Sequence, residues 1–186
     1  MELLKILSES PSGCLESQVL SILVHSSSTT TNKKVFFLPG STAYFGCVGS
    51  DEYGDKLQKC ASEDGVLVHY QRTSEAPTGT CAVLVNGGER SLVANLGAAN
   101  SFTAHHLESP ESQEIISRSK IVYISGFFLT VSVDAIMITA KHAVENNKLF
   151  CMNLSAPFLI DFFEDQMAAT MPFCDIVFGN ESEVIS

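Results

Sequence analysis

Near the end of the chain an asparagine and a glutamate stand three residues apart, Asn180 and Glu183, in the string GNESE. If Asn180 caps a helix, Glu183 lies one turn on, and both side chains face the same space. Oxygen ligands of this kind suit Mg2+ held through water, with a substrate's phosphates supplying further donors. The same spacing also writes a capping box, in which the two side chains satisfy backbone N–H groups and nothing more. Phe127 and Phe128 in SGFFLT and Phe158 in NLSAPF offer faces for a flat ring such as a purine. Aromatic residues in such runs also serve simply as core. Arg90, at the base of a hairpin, could swing toward phosphate, although an exposed arginine in a turn is the commoner case. The five histidines form no cluster and read as structural or solvent-facing. No GxSxG, HExxH, GxxxxGK or GxGxxG occurs, so motif evidence for several usual enzyme classes is missing.

Except for Arg90, these residues leave apolar runs that read as buried strands: IVYISGFFL (121–129), KLFCMNLSAP (148–157) and CDIVFGNESE (174–183). Helices expected over 132–146 and 157–171 separate the runs. Strand alternating with helix predicts a parallel sheet holding ligands at the strands' carboxyl ends. Upstream, VFFLPG and AYFGCVG read as strands, and Asp51 then caps a helix with Tyr53, Leu57 and Cys60 on one face and Gly65 as its stop. The period then changes. VLVHYQRT, TGTCAVLVNG and RSLVANLG are strand-like, with Asn86-Gly87 a hairpin signal. They predict a small antiparallel accessory sheet within about residues 66–97, suited to act as a lid. A polar stretch at 101–120 is expected to hold a helix. Residues 1–34 carry one short amphipathic helix and the run SSSTTTN, and are expected to be a flexible N-terminal segment, with the domain proper over 35–186.

Composition narrows the class. The 186 residues suit roughly one domain. They are 45% hydrophobic yet carry a formal net charge of −10. That acidity, with no basic stripe, argues against nucleic acid and leaves room for a small polyanion bound with Mg2+. Six cysteines are scattered without CxxC spacing, mostly in apolar runs, and read as buried free thiols in a reducing compartment. No run reaches the roughly 18–20 apolar residues of a membrane span, and Glu2, Glu9 and Glu16 interrupt any signal-peptide core. No membrane partner is expected, and the cytoplasm is the expected location.

Six strings then stop being generic: FGCVGSDEYGDKL, APTGTCAVLV, ERSLVANLGAAN, YISGFFLTVS, ENNKLFCMNLSAPF and DIVFGNESE. Together, in order and at compatible spacing from about Gly40 to Glu183, they resemble the adenosine kinases of the ribokinase-like carbohydrate and purine kinase family. The resemblance implies an α/β fold, a ribokinase-like parallel sheet flanked by helices with a small antiparallel β lid, here incomplete. It implies phosphoryl transfer from ATP to adenosine with Mg2+, giving AMP in purine salvage, in the cytoplasm and also the nucleus. Leu92, Ala94 and Leu96 match lid residues around the nucleoside base, Phe127 and Phe158 an aromatic clamp, and Asn180 and Glu183 the family's NxxE. Arg90 matches a lid arginine near the transferred phosphate. Other nucleosides or sugars in the same family are the alternative substrates, and a non-catalytic binding or regulatory module is the alternative class.

Departures from the family pattern qualify these expectations. Of the family's GGSTQN motif and following helix only PGST (39–42) stands here, so the resemblance implies Gly40 and Ser41 as its matching substrate-binding residues. The DTNGAGD segment, which supplies the family's catalytic aspartate, does not occur. The chain is therefore read as truncated at both ends and inactive alone, because phosphoryl transfer depends on positioning and charge stabilisation. Relatives are expected to be monomers, while this chain is expected to self-associate through an exposed sheet edge.

Overall fold

The computed structural model describes residues 20–23, 41–86 and 89–185. Among the described residues six strands form the large sheet, in the order Leu67–Thr73 (β3), Thr42–Gly49 (β2), Leu20–Leu23 (β1), Ile121–Ile124 (β6), Leu149–Asn153 (β7) and Ile176–Phe178 (β8). β2 and β3 run parallel, as do β6, β7 and β8. β1 is antiparallel to both β2 and β6, so the other five strands share one direction and one carboxyl edge. Thr80–Asn86 (β4) and Glu89–Asn95 (β5) form a separate antiparallel ribbon, closing with Asn86 opposite Glu89.

The helices follow from local signals. Asp51 caps Glu52–Glu63 (α1), accepting from the Gly54 amide, and Gly65 turns the chain away at φ 80°. Ser109 caps Pro110–Arg118 (α2), with proline at the first turn, where a missing N–H costs nothing. Ser132 caps Val133–Glu145 (α3), whose buried face is Ala135, Ile136, Thr139, Ala140 and Ala143. These mostly small residues let α3 approach the sheet closely. Lys148 Nζ reaches back to the carbonyls of Ile116 and Ser117 at 2.9 and 2.6 Å, completing the end of α2. Phe45, Phe102, Ile124, Phe128, Ile136, Phe150 and Met152 fill the core. Each such side chain contributes about 1.5–3 kcal/mol by leaving water.

Several expectations change. VLVHYQRT, grouped above with the accessory strands, is β3 of the large sheet, and the lid is the β4–β5 ribbon alone. A period of two reports exposure, not which sheet a strand joins; the preceding helix makes the parallel return available. The run 121–129 is strand only to Ile124, then a 3-10 turn over Gly126–Thr130. The helix expected over 157–171 breaks at Phe163 (φ −127°, ψ 33°) into Pro157–Phe162 (α4) and Glu164–Thr170 (α5). Tyr53, grouped above with Leu57 and Cys60 on one face of α1, is 63% exposed, whereas those two are half-buried. VFFLPG and the run SSSTTTN lie outside the described residues, whereas residues 20–23 of the expected N-terminal tail form the central strand β1. Among the described residues no helix is long and apolar enough to cross a membrane. Cys47, Cys60, Cys81, Cys151 and Cys174 are free thiols.

Candidate functional site

The shared strand direction gathers Gly49, Thr73, Ile124, Asn153 and Phe178 at one edge of the sheet. At the β6 and β7 exits a polar knot forms around Asn153. Its Oδ1 accepts from the Gly126 amide at 2.8 Å and from Ser155 Oγ at 2.5 Å, and Ser155 Oγ lies 3.3 Å from Ser125 Oγ. The two loops pack so closely that a Cβ at Gly126 would collide with the Asn153 carbonyl oxygen and sit 2.9 Å from that of Leu154. Ser155 bends its loop through the left-handed region at φ 65°.

These loops carry the aromatic residues singled out above. Phe127 and Phe158 come together, ring centroids 6.0 Å apart and tilted by 46°, and Phe158 is 45% exposed. A flat ring sandwiched between them would need the outer rings about 7 Å apart, two carbon contact distances. The pair therefore presents adjoining faces, not an open slot. Phe128 belongs to the core, buried and edge-on to Phe102 at 5.3 Å; one residue of offset on the 3-10 turn sends the neighbouring rings in different directions.

At the β8 exit, Asn180 and Glu183 adopt the capping box. Glu183 N–H donates to Asn180 Oδ1 at 3.0 Å, while the Asn180 amide and Nδ2 donate to the two Glu183 carboxylate oxygens at 3.1 and 2.9 Å. They open the short helix Glu181–Ile185 (α6), and Glu183 is buried. The Leu154 amide donates to the Phe178 carbonyl at 2.8 Å, binding this exit to the aromatic one. Among the described residues no group of three or more His, Cys, Asp or Glu is placed to hold a metal ion. Asn180 and Glu183 thus fit Mg2+ only with water and ligand phosphate supplying most donors.

The β2 and β3 exits anchor the lid. Asp51 Oδ1 accepts from Gly54 N–H at 2.9 Å and Thr78 Oγ1 at 2.6 Å, and Oδ2 accepts from Thr78 N–H at 2.7 Å. These bonds, the Thr78 hydroxyl's first, hold the Asp51 carboxyl below its ordinary pKa. Thr78 Oγ1 in turn accepts from the Gly49 amide at 2.9 Å, and the Ala98 amide donates to the Pro77 carbonyl at 2.8 Å. Both feet of the ribbon are thereby fastened beside a cavity of about 210 Å3 lined by Ser50, Asp51, Thr73, Ser74, Ala76 and Pro77. On the ribbon, Ala94 is exposed and Leu96 half-buried. Register sets Ala94 opposite Cys81, Leu92 opposite Val83 and Arg90 opposite Val85; Arg90 and Leu92 are placed by backbone alone.

Ser41 is not brought to this edge. It precedes β2, whose first residue Thr42 is level with Ile121 at the opposite edge, because Leu23 pairs with both. Gly40 lies outside the described residues. Ser41 runs directly into β2 with no helix between, and so stands at the edge opposite the strand exits. Asn153, Ser155 and Thr78 were missed in the sequence, although each is a polar residue just past or beside a strand end, the one signal that marked them.

Residues 34–184 match the pfkB family of carbohydrate kinases. Adenosine kinase 2 of Arabidopsis thaliana is 51% identical over 146 residues, covering 78% of this chain and 42% of the plant protein. Adenosine kinase of Dictyostelium discoideum is 49% identical over 143 residues, with 77% and 42% covered. The crystal structure of Anopheles gambiae adenosine kinase in complex with P1,P4-di(adenosine-5) tetraphosphate superposes with a TM-score of 0.74 at 48% identity, over 77% of this chain and 43% of that one. Adenosine kinase from Schistosoma mansoni in complex with 2-fluoroadenosine gives 0.73 at 37% identity, over 76% and 41%. The chain thus spans well under half the length of the relatives it matches. Fold, strand-exit geometry and sequence agree that the chain belongs to the pfkB family of carbohydrate kinases.

Proposed function

We propose that these residues form the nucleoside-binding part of an adenosine kinase-like phosphotransferase. In that reaction the 5′-hydroxyl oxygen of adenosine bonds to the γ-phosphorus of ATP, the bond from that phosphorus to the β,γ-bridging oxygen breaks, and the hydroxyl proton passes to a base, leaving AMP and ADP. One observation carries the reading: the Phe127–Phe158 pair, with Phe158 exposed and Phe127 half-buried, shares a sheet edge with Asn180 and Glu183. The relatives support it, since they are adenosine kinases and one holds 2-fluoroadenosine. Stacking on such a pair contributes about 1–3 kcal/mol per base.

The match to the pfkB family supports the remaining roles. The ribbon, fastened at Asp51, covers the base with Leu92, Ala94 and Leu96, and Arg90 offers charge to the transferred phosphoryl group. Asn180 and Glu183 would hold Mg2+ through water, and the ion supplies neutralisation of the ATP phosphates. Two carboxylates at this edge already accept hydrogen bonds, Asp51 three and Glu183 two from Asn180. They are not poised to take the hydroxyl proton, so the 186 residues alone are expected to bind adenosine without forming AMP.

Thermal-shift and calorimetric titrations of the chain with adenosine, inosine and ribose test this. Adenosine raising the melting temperature, with ribose inert, is the expected result. Equal responses to all three, or none to adenosine, would overturn the nucleoside assignment, and AMP formation lost in Arg90→Ala would overturn the expected inactivity. A second reading, a non-catalytic module that docks on a partner, is favoured by one observation: Ile176, Val177 and Phe178 of β8 are each more than 40% exposed.

A further inference from the structure

We propose that Asn153 is the positioning residue of the aromatic platform, a single side-chain oxygen that sets the placement of both Phe127 and Phe158. The Asn153 Oδ1 has two lone pairs, and its two donors come from different loops. Gly126 N–H, one residue before Phe127, fills one at 2.8 Å, and Ser155 Oγ, three residues before Phe158, fills the other at 2.5 Å. Neither loop is otherwise free to settle. Gly126 sits where a Cβ would strike the β7 backbone, and Ser155 holds a left-handed φ of 65°, which a non-glycine residue keeps only where its surroundings enforce it. Asn153 itself is fixed at the end of β7, its Cα opposite Phe178. The rigid strand thus dictates the geometry of both rings.

The role is that of an acceptor. A residue with a carboxylate oxygen in the same place serves it, whereas one without leaves the Gly126 N–H unpaired and Ser155 with only its 3.3 Å contact to Ser125 Oγ. Asn153→Asp is therefore the rescuing variant, Asn153→Ala the disabling one, and Ser155→Ala removes one bond of the two.

The test uses the chain labelled with fluorophenylalanine, the resonances of Phe127 and Phe158 being assigned through Phe127→Leu and Phe158→Leu. Without ligand, Asn153→Ala is expected to move both resonances, Asn153→Asp neither, and Ser155→Ala that of Phe158 alone. Adenosine affinity, an arm that rests on the proposed function, is expected to fall about tenfold in Asn153→Ala and to recover in Asn153→Asp, as loss of aligned stacking implies. If Asn153→Ala does not fold, Asn153→Asp and Ser155→Ala still decide. Both resonances unmoved in a folded Asn153→Ala, or Asn153→Asp as disruptive as Asn153→Ala, would overturn the proposal. Resonances that behave as stated in a chain that does not bind adenosine uphold the positioning role and reject the nucleoside assignment instead.

Discussion

The spacing of Glu183 from Asn180 allows a capping role and a metal-holding role without separating them. The geometry settles the structural one: both carboxylate oxygens accept from Asn180, whose own Oδ1 takes the Glu183 amide. A five-residue helix such as α6 has little stability of its own, so the cap decides whether it persists. Removing a cap of this kind costs about 1 kcal/mol, which corresponds to roughly fivefold faster exchange of an amide that opens locally. The Val184 amide, which donates to the Asn180 carbonyl at 3.1 Å, reports that opening. Glu183→Ala is expected to speed its exchange by about that factor. Glu183→Gln keeps one side-chain acceptor and is expected to stay near the wild type. Hydrogen exchange followed by NMR checks both; a Gln variant as labile as the Ala variant would show that charge, not the acceptor, holds the helix.

At the scale of elements, β3 is bound to the turn Ala104–Glu108 through two imidazoles. His69 and His106 stack with centroids 4.6 Å apart and planes 22° from parallel, and the His106 ring nitrogen Nε2 meets the His69 carbonyl at 3.1 Å. His69 Nε2 is buried without a hydrogen-bond partner. Burial first, then the neighbouring His106, lowers the His69 pKa, with Glu111 opposing. A base whose pKa is lower folded than unfolded binds fewer protons when folded, so its contribution is intact above the ordinary value of 6.5 and fades as pH falls through the lower folded value. His142, lowered by burial and then by Lys148, acts in the same direction. The melting temperature is expected to drop on acidification below that value, and His69→Phe to flatten the drop without abolishing it. A melting series across this range checks the sign. None of this was legible in the chain, where the histidines lie 37 residues apart. What could be read was local: Asp51, Ser132 and Gly65 marked helix ends through short-range chemistry, and the apolar runs marked β6, β7 and β8. Sheet membership of β3, the central place of β1 and the break at Phe163 depend on tertiary pairing, which periodicity does not carry. The aromatic pair was visible because the strand exits repeat a pattern; the Asn153 knot that sets it was not, since nothing in NLSAPF shows which loop its asparagine meets.

Across the whole molecule the two edges of the large sheet are treated differently. At one edge β3 presents Arg72, whose guanidinium bonds to Asp55 at 2.8 Å and Gln58 at 2.6 Å on α1, a charged and covered border that discourages pairing with another chain. At the other, Ile176, Val177 and Phe178 of β8 are exposed, with Phe162 at 78% and Ile185 at 83% exposure nearby in the chain. Apolar surface of this kind on an open edge favours association. Opposing it is the net charge of −10, whose repulsion between copies is screened within about 8 Å at physiological salt. The balance yields a definite expectation: self-association that grows with protein concentration and with added salt. Val177→Lys places a solvated charge in the middle of the three-residue strand, leaves the core untouched, and is expected to keep the chain monomeric under the same conditions. Sedimentation velocity over a salt series measures both. A wild-type chain that stays monomeric at every salt concentration would remove the basis for the docking-module reading, and would leave the proposed nucleoside binding at the other strand exits as the activity to pursue.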